Sequence, residues 1–150
     1  MPSGPTLSQP KPRILVYELP DGWTLLVGGT DTDNDYLSIK LAEPVDWWFH
    51  ADKVPGSHVV LRAKKDQEPD RETLRRAAAV AAYHSKARNA GSVPVYCTRA
   101  RHVTKPRGAK AGTVHVAAGK ILKVRPDNSF AVRVRGEIGA SSDDANASHS

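Results

Sequence analysis

The sequence predicts an α+β domain in which one long helix and a shorter helix pack on a mixed or antiparallel β-sheet. Short apolar, β-prone runs recur along the chain and are separated by turns rich in Pro and Gly. One segment, residues 70–90, instead carries its apolar residues at helical spacing. A chain of 150 residues is long enough for one domain whose core needs neither metal nor disulfide.

The first half of the chain is predicted to consist mainly of strands. Pro20, Asp21 and Gly22 form the turn of a hairpin. Asp33 or Asn34 is expected to cap a short helix that ends before Pro44. The predicted strands of this half are residues 13–19, 23–27, 46–51 and 57–63.

The long helix is predicted to begin at Asp70 and to end near Ala90. Its first turn is acidic, and Lys86 and Arg88 lie near its other end, as the helix dipole favours. Its apolar face is mostly alanine, so the helix backbone is expected to lie close to the sheet. Four strands are predicted after it, at residues 93–98, 113–117, 120–125 and 130–134.

Both ends of the chain are predicted to be disordered. Residues 1–12 hold four prolines, and residues 136–150 are mostly small and polar. The ordered domain is therefore expected at residues 13–135. The sequence shows no signal peptide and no long apolar segment, which predicts a soluble, cytoplasmic protein. The single cysteine, Cys97, excludes an internal disulfide and lies in an apolar run, which predicts a buried thiol.

Positive charge is concentrated in residues 99–125, the basic tract. The chain has 22 basic and 16 acidic residues, and the tract holds eight of the basic residues and no acid. The remainder therefore has 14 basic against 16 acidic residues, so the positive charge is local. Such a tract predicts a polyanionic partner, nucleic acid first, although a merely solvated surface also fits. Arg99 and Arg101 are predicted phosphate contacts at its start.

Two further motifs contain candidate functional residues. In D-W-W-F-H, residues 46–50, alternation predicts Asp46, Trp48 and His50 on one face of a strand. There an Asp–His pair can form and an exposed Trp can stack a base, but plain core packing fits equally well. In P-G-S-H, residues 55–58, Ser57 and His58 face opposite sides and cannot form a dyad with each other.

No metal or cofactor is predicted. The chain has six histidines and one cysteine, but it has neither an H-x-x-x-H nor a C-x-x-C spacing. A metal site would have to be assembled from several strands.

Four segments in this order resemble the RNA-binding domain of NFACT proteins, a group that includes NEMF-like ribosome quality-control factors and bacterial FbpA-like proteins. The first runs from D-G-W at residues 21–23 through Gly28 to Asn34 and Asp35. The second joins D-W-W-F-H to P-G-S-H, and the third is A-A-Y-H-S-K-A at residues 81–87. The fourth is K-P-R-G-A at residues 105–109, which ends at Gly112.

The resemblance implies an α+β domain that binds RNA. The RNA-binding residues it implies are Asp46, Trp48, His50, Gly56, Ser57, His58, Lys86, Lys105, Arg107, Gly108 and Lys110. Gly29 and Ala111 depart from the family pattern, which usually has a basic residue and a proline there. The other modules of full-length members do not occur in the sequence, so we expect a stand-alone domain, and the pathway stays open.

The sequence therefore predicts a non-catalytic RNA-binding module that acts on ribosomal RNA or tRNA, in translation or ribosome-associated quality control. Two alternatives remain. One is an RNA-processing or RNA-modifying enzyme that uses His50 or His58 as general acid or base, oriented by Asp46. The other is an adaptor whose basic patch binds an acidic protein.

Overall fold

Seven antiparallel strands form the central sheet in the computed structural model, which describes residues 12–138. The strands are β1 (Ile14–Leu19), β2 (Trp23–Gly28), β3 (Trp47–Ala51), β4 (Val59–Leu61), β5 (Val93–Arg99), β6 (Val103–Thr104), β7 (His115–Val116), β8 (Lys120–Val124) and β9 (Val132–Ile138). The helices are α1 (Asp31–Asp35), continued by a π-helical turn (Tyr36–Leu41), and α2 (Arg71–Tyr83). The sheet order is β8-β5-β3-β4-β2-β1-β9, and β6 and β7 form a separate ribbon. The predicted α+β fold is confirmed.

Helix α2 covers one face of the sheet. Its alanines Ala77, Ala78 and Ala81 are 0% exposed, and they pack with Phe49 of β3 and Cys97 of β5 in the larger core. Small side chains let the helix approach the strands closely, as the alanine-rich face predicts. The thiol of Cys97 is buried as predicted, and burial raises its pKa to about 11.

The opposite face of the sheet is covered by the π-helical turn and by the β6–β7 ribbon. Leu37 from the turn and Val103 from the ribbon pack on Trp48 and Val60 in a second core. The middle of the basic tract therefore does not lie along the sheet as another strand. It crosses the second face as a short hairpin, which brings its loop next to α1.

Helix α2 ends at Tyr83 and not near Ala90 as predicted. Ser85 leaves the helix because it forms a β-bridge with Gly56, and the Lys86 N–H donates to the carbonyl of Pro55 at 2.9 Å. A Cβ at Gly56 would lie 2.8 Å from that of Ser85, so only glycine permits this approach. A contact with a distant loop thus overrides the helix propensity of the segment.

The short helix is capped by Thr30, and not by Asp33 or Asn34. The Thr30 hydroxyl accepts from the Asp33 N–H at 3.1 Å, and the Asp33 carboxylate accepts from the Thr30 N–H at 3.0 Å. The two bonds form a reciprocal capping box. Asn34 is thereby left for another contact, described below.

Strand lengths differ from the prediction mainly near the end of the chain. The predicted strand at residues 113–117 shrinks to β7, and β9 runs to Ile138, beyond the predicted boundary at Arg135. The predicted disorder of residues 1–11 and 139–150 lies outside the described residues. Within residues 12–138, no helix is long and apolar enough to cross a membrane.

Substitution of Ala81 by Leu tests the close contact between α2 and the sheet. Ala81 is fully buried against the strands, so the larger side chain should overpack the site and cost about 1–3 kcal/mol of unfolding free energy. Urea unfolding measures the loss, and Ala90→Leu at an exposed position serves as the control. Equal stability of the two variants would contradict the packing.

Candidate nucleic-acid interface

The predicted RNA-binding residues fall into four groups. They are Asp46, Arg99 and Arg101 at one corner of the sheet, Trp48, His50 and His58 on its second face, Gly56, Ser57 and Lys86 beside the end of α2, and Lys105, Arg107, Gly108 and Lys110 in the loop of the ribbon.

Asp46 is a structural anion and does not pair with His50, so the predicted Asp–His pair is wrong. The carboxylate accepts from the Arg62 guanidinium at 2.9 Å and from the N–H groups of Glu43 at 2.8 Å and Ala63 at 2.7 Å. These bonds satisfy both oxygens of a side chain that is 2% exposed. Asp46 therefore fixes the corner before β3 and is not available to RNA.

The two arginines at this corner differ in their partners. Arg99 lies over the Trp47 ring at 4.0 Å and donates to Glu68 at 2.8 Å and to the Val45 carbonyl at 2.7 Å. Its guanidinium is thereby engaged within the fold. Arg101 is exposed, and no side-chain partner for it occurs within the described part of the chain. Of the two arginines at this corner, Arg101 is therefore the one whose guanidinium is accessible to a phosphate.

Trp48 and His58 belong to a buried hydrogen-bonded chain. The Trp48 indole N–H donates to the Ser38 hydroxyl at 2.8 Å, and that hydroxyl lies 2.7 Å from Nδ1 of His58. A hydroxyl that accepts from Trp48 donates its proton to Nδ1, so the ring proton of neutral His58 lies on Nε2, and the nearby backbone of Gly112 favours the protonated ring. Trp48 and His58 are each 3% exposed, so the structure buries both of these predicted RNA-binding side chains.

Asn34 connects this buried chain to the neighbouring loops. Its side-chain oxygen accepts from the His58 N–H at 3.0 Å, and its amide lies 3.5 Å from the Gly56 carbonyl. The Gly28 N–H donates to the His58 carbonyl at 3.0 Å. A Cβ at Gly28 would lie 2.1 Å from the Asn34 oxygen, so this position must be glycine. Sequence reasoning missed the role of Asn34 because the residue also fits a helix cap.

His50 lies beside this chain, at the base of a cleft of about 240 Å³ beneath the ribbon. Its Nε2 is 3.2 Å from the Gly56 carbonyl, and its ring stacks on Trp48 with centroids 6.0 Å apart. Burial lowers the pKa of His50, and burial together with His50 lowers the pKa of His58 to about 4. Both histidines are therefore neutral at pH 7 and add no positive charge to the site.

Residues 105–112, the basic loop, are held at both ends by one carboxylate. The Lys105 ammonium pairs with Asp35 at 3.0 Å and also donates to the carbonyls of Lys110 and Thr113. The Gly112 N–H donates to the other oxygen of Asp35 at 3.1 Å. Lys105 therefore closes the loop through its ion pair, and the Gly112 N–H points inward to Asp35.

The tip of the basic loop is exposed. Arg107, Gly108 and Lys110 all face solvent, and neither Arg107 nor Lys110 has a side-chain partner within residues 12–138. Gly108 has a φ of +81° and no neighbour within 4 Å of a Cβ placed there. The closed base of the loop thus presents two unpaired cations at a fixed place.

A groove of about 570 Å³, the α2 groove, lies beside this loop. Its walls are residues 29–31 and 34, residues 55–57, and residues 84–86, 88 and 89. Lys86 is exposed, and the Arg88 guanidinium lies 4.2 Å above the Tyr83 ring. Asp31 contributes to the groove and also abuts Gly112, since a Cβ at Gly112 would lie 2.9 Å from the Asp31 carboxylate. The groove and the basic loop therefore form one continuous surface.

The Asp–His arrangement that the alternative, an RNA-processing enzyme, requires is not formed. Asp46 bonds Arg62 instead of a histidine, and His58 is buried. Among residues 12–138, no three His, Cys, Asp or Glu side chains are grouped as metal ligands.

The low pKa of His58 makes stability depend on pH. Between about pH 6.5 and pH 4 the unfolded chain takes up a proton that the folded protein does not, so the free energy of unfolding decreases as the pH is lowered. We expect His58 to contribute about 2–3 kcal/mol to the loss between pH 7 and pH 4.5. Urea unfolding at both pH values should show a smaller loss for His58→Gln. If the wild type and His58→Gln lose the same free energy of unfolding between the two pH values, His58 is not the group responsible.

Asp35 should keep the basic loop closed. Replacement by Ala removes the Lys105 pair and the Gly112 bond, which should ease local opening by about 1–2 kcal/mol and speed tryptic cleavage after Arg107 and Lys110 roughly tenfold. Asp31→Ala removes a neighbouring carboxylate that forms no hydrogen bond to the loop, and it provides the control. Equal cleavage rates in the two variants would refute the role of Asp35.

Comparison with known proteins identifies relatives over most of the chain. Proteins described as Rqc2 homolog RqcH are 42% identical to it over 124 residues in Bacillus subtilis (strain 168) and 42% identical over 111 residues in Streptococcus suis (strain 05ZYH33). These alignments cover 83% and 73% of this chain but only 21% and 20% of the relatives. The chain thus spans about a fifth of their length.

A solved structure shares both fold and sequence with this domain. It is the C-terminal part of the fibronectin/fibrinogen-binding protein from Streptococcus suis, which superposes with a TM-score of 0.74 at 37% identity. The match covers 85% of this chain and 51% of that one. The family described as NFACT protein RNA binding domain matches residues 13–118. The resemblance seen in the sequence is thereby confirmed, and the chain belongs to the family of NFACT RNA-binding domains, a binding module rather than an enzyme.

Proposed function

We propose that this domain binds ribosomal RNA or tRNA in ribosome-associated quality control, through a surface made of the basic loop and the α2 groove. Three exposed cations on this surface supply phosphate contacts, namely Arg107, Lys110 and Lys86, and Arg101 at the corner of the sheet supplies a fourth. Partners of this kind would place the protein in the cytoplasm.

The proposal rests on which basic side chains form an ion pair within the domain and which do not. Lys105 and Arg99, which the sequence does not distinguish from the others, are paired with carboxylates. Arg101, Arg107, Lys110 and Lys86 have no such partner in the described part of the chain. An unpaired surface cation gives up only counterions and water when it meets a phosphate, whereas a paired one must first break its ion pair.

The comparisons support the choice of RNA and of the translation apparatus. The family is described as an RNA-binding domain, and the relatives are described as Rqc2 homologues. Because the chain covers about a fifth of those relatives, the proposal carries over no other activity of theirs.

The salt dependence of RNA binding tests the proposal. Four phosphate contacts predict a log–log slope of about −3 to −4 for purified tRNA or an rRNA fragment. Arg107→Ala with Lys110→Ala should weaken binding and reduce the slope by about 1.5–2, because two contacts are lost.

The matched control removes two exposed cations from β8, by Lys120→Ala with Lys123→Ala. These residues belong to the same basic tract but lie on the edge strand at the other side of β5. Their loss should leave the slope unchanged. Equal effects of the two double variants, or a flat salt response, would refute the proposed surface, and salt-sensitive binding of acidic proteins without RNA would favour the adaptor.

A further inference from the structure

We propose that the α2 groove holds a single unpaired nucleotide of the bound RNA, so that the domain selects a duplex that carries a bulged or looped-out base. This inference rests on the proposed RNA binding and adds the structural element of the RNA that is recognised.

The groove is preformed by backbone contacts among its walls. Ser57 N–H donates to the His84 carbonyl at 3.0 Å, and Lys86 N–H donates to the Pro55 carbonyl at 2.9 Å. The Asn34 amide faces the Gly56 carbonyl from the third wall. Since these bonds exist without a ligand, the groove needs no reordering when it binds, which lowers the cost of binding.

The size of the groove suits one nucleotide and not a helix. Its volume of about 570 Å³ lies within the range of roughly 300–1,000 Å³ for ligand clefts, and the groove is open to solvent, so a nucleotide in it can stay joined to the rest of its RNA. A base inside a duplex is stacked and paired, so neither of its faces is free to lie against the groove. Proteins that recognise RNA by its bases accordingly bind nucleotides that leave the stack.

The lining offers a stacking platform as well as charge. The Arg88 guanidinium lies 4.2 Å above the Tyr83 ring and Arg88 is exposed, so this planar group can stack on a base that enters the groove. Lys86 can hold the phosphate of the same nucleotide. Asp31 is the carboxylate in the lining, and it repels a bare phosphate but accepts hydrogen bonds from the N–H groups of a base. This combination favours a nucleotide over a simple anion.

The basic loop explains why the nucleotide would belong to a longer RNA. The loop meets the groove at the contact between Gly112 and Asp31. Arg107 and Lys110 at its tip are therefore placed to hold the backbone next to the nucleotide that enters the groove. The ribbon cleft is a poorer candidate, because it is smaller, about 240 Å³, and its Trp48 ring is buried.

Two RNA hairpins that differ by one unpaired adenine provide the test. Stacking of one base predicts that the bulged hairpin binds about tenfold tighter. Arg88→Lys keeps the charge but removes the planar guanidinium on which the base stacks. This variant should bind the bulged and the unbulged hairpin with nearly equal affinity, while its affinity for the unbulged hairpin changes less than twofold. Arg71→Lys, the same change at the exposed start of α2 and outside the groove, should keep the preference. A 2-aminopurine at the bulge should brighten when the wild type binds it.

Each other outcome overturns the inference in a distinguishable way. Equal, salt-sensitive affinity for the two hairpins excludes a nucleotide site and leaves the proposed RNA binding intact. A bulge preference that survives Arg88→Lys places the nucleotide elsewhere. Failure to bind either hairpin refutes both proposals.

Discussion

The contact between Asn34 and the backbone of His58 is the constraint on which the rest of the surface depends. It fits only because Gly28 has no side chain. From this junction the His58 ring reaches Ser38 and the Gly112 backbone, while the Asn34 amide reaches Gly56. Buried polar groups are costly unless each finds its partner, so these bonds hold α1, the turn at Gly56 and the basic loop in one arrangement.

Several side chains that the sequence marks as candidate functional residues therefore have structural roles beneath the surface. Trp48 and His58 form the buried hydrogen-bonded chain with Ser38. Asp46 pairs with Arg62, and Lys105 pairs with Asp35 and closes its loop. In the proposed surface, simple exposed cations take the contacts to RNA. Neutral histidines suit this division, because a buried imidazolium would need a compensating anion next to the phosphate site.

The sequence predicts the elements that depend on neighbouring residues. The start of α2 at Asp70, whose carboxylate accepts from the Thr73 N–H at 2.8 Å, its alanine face and the first hairpin all follow from local signals. The end of α2 does not, because Ser85 bonds a glycine in a distant loop. The state of Lys105 is equally hidden, since its partner Asp35 lies far away along the chain. Local patterns thus locate the candidate site residues but cannot separate the paired cations from the free ones.

The Asp35–Lys105 pair shows how a basic surface can be both ordered and strongly positive. An acid beside a phosphate site would weaken it, but here its charge is balanced by Lys105 at 3.0 Å, so the pair adds little net field. What it adds is order, since the same carboxylate also bonds Gly112. In the proposed complex, Arg107 and Lys110 would then be held near their binding positions before RNA arrives, so that less conformational entropy would be lost on binding. The absence of acids within the basic tract therefore keeps the field positive, while the carboxylate that orders the loop comes from α1.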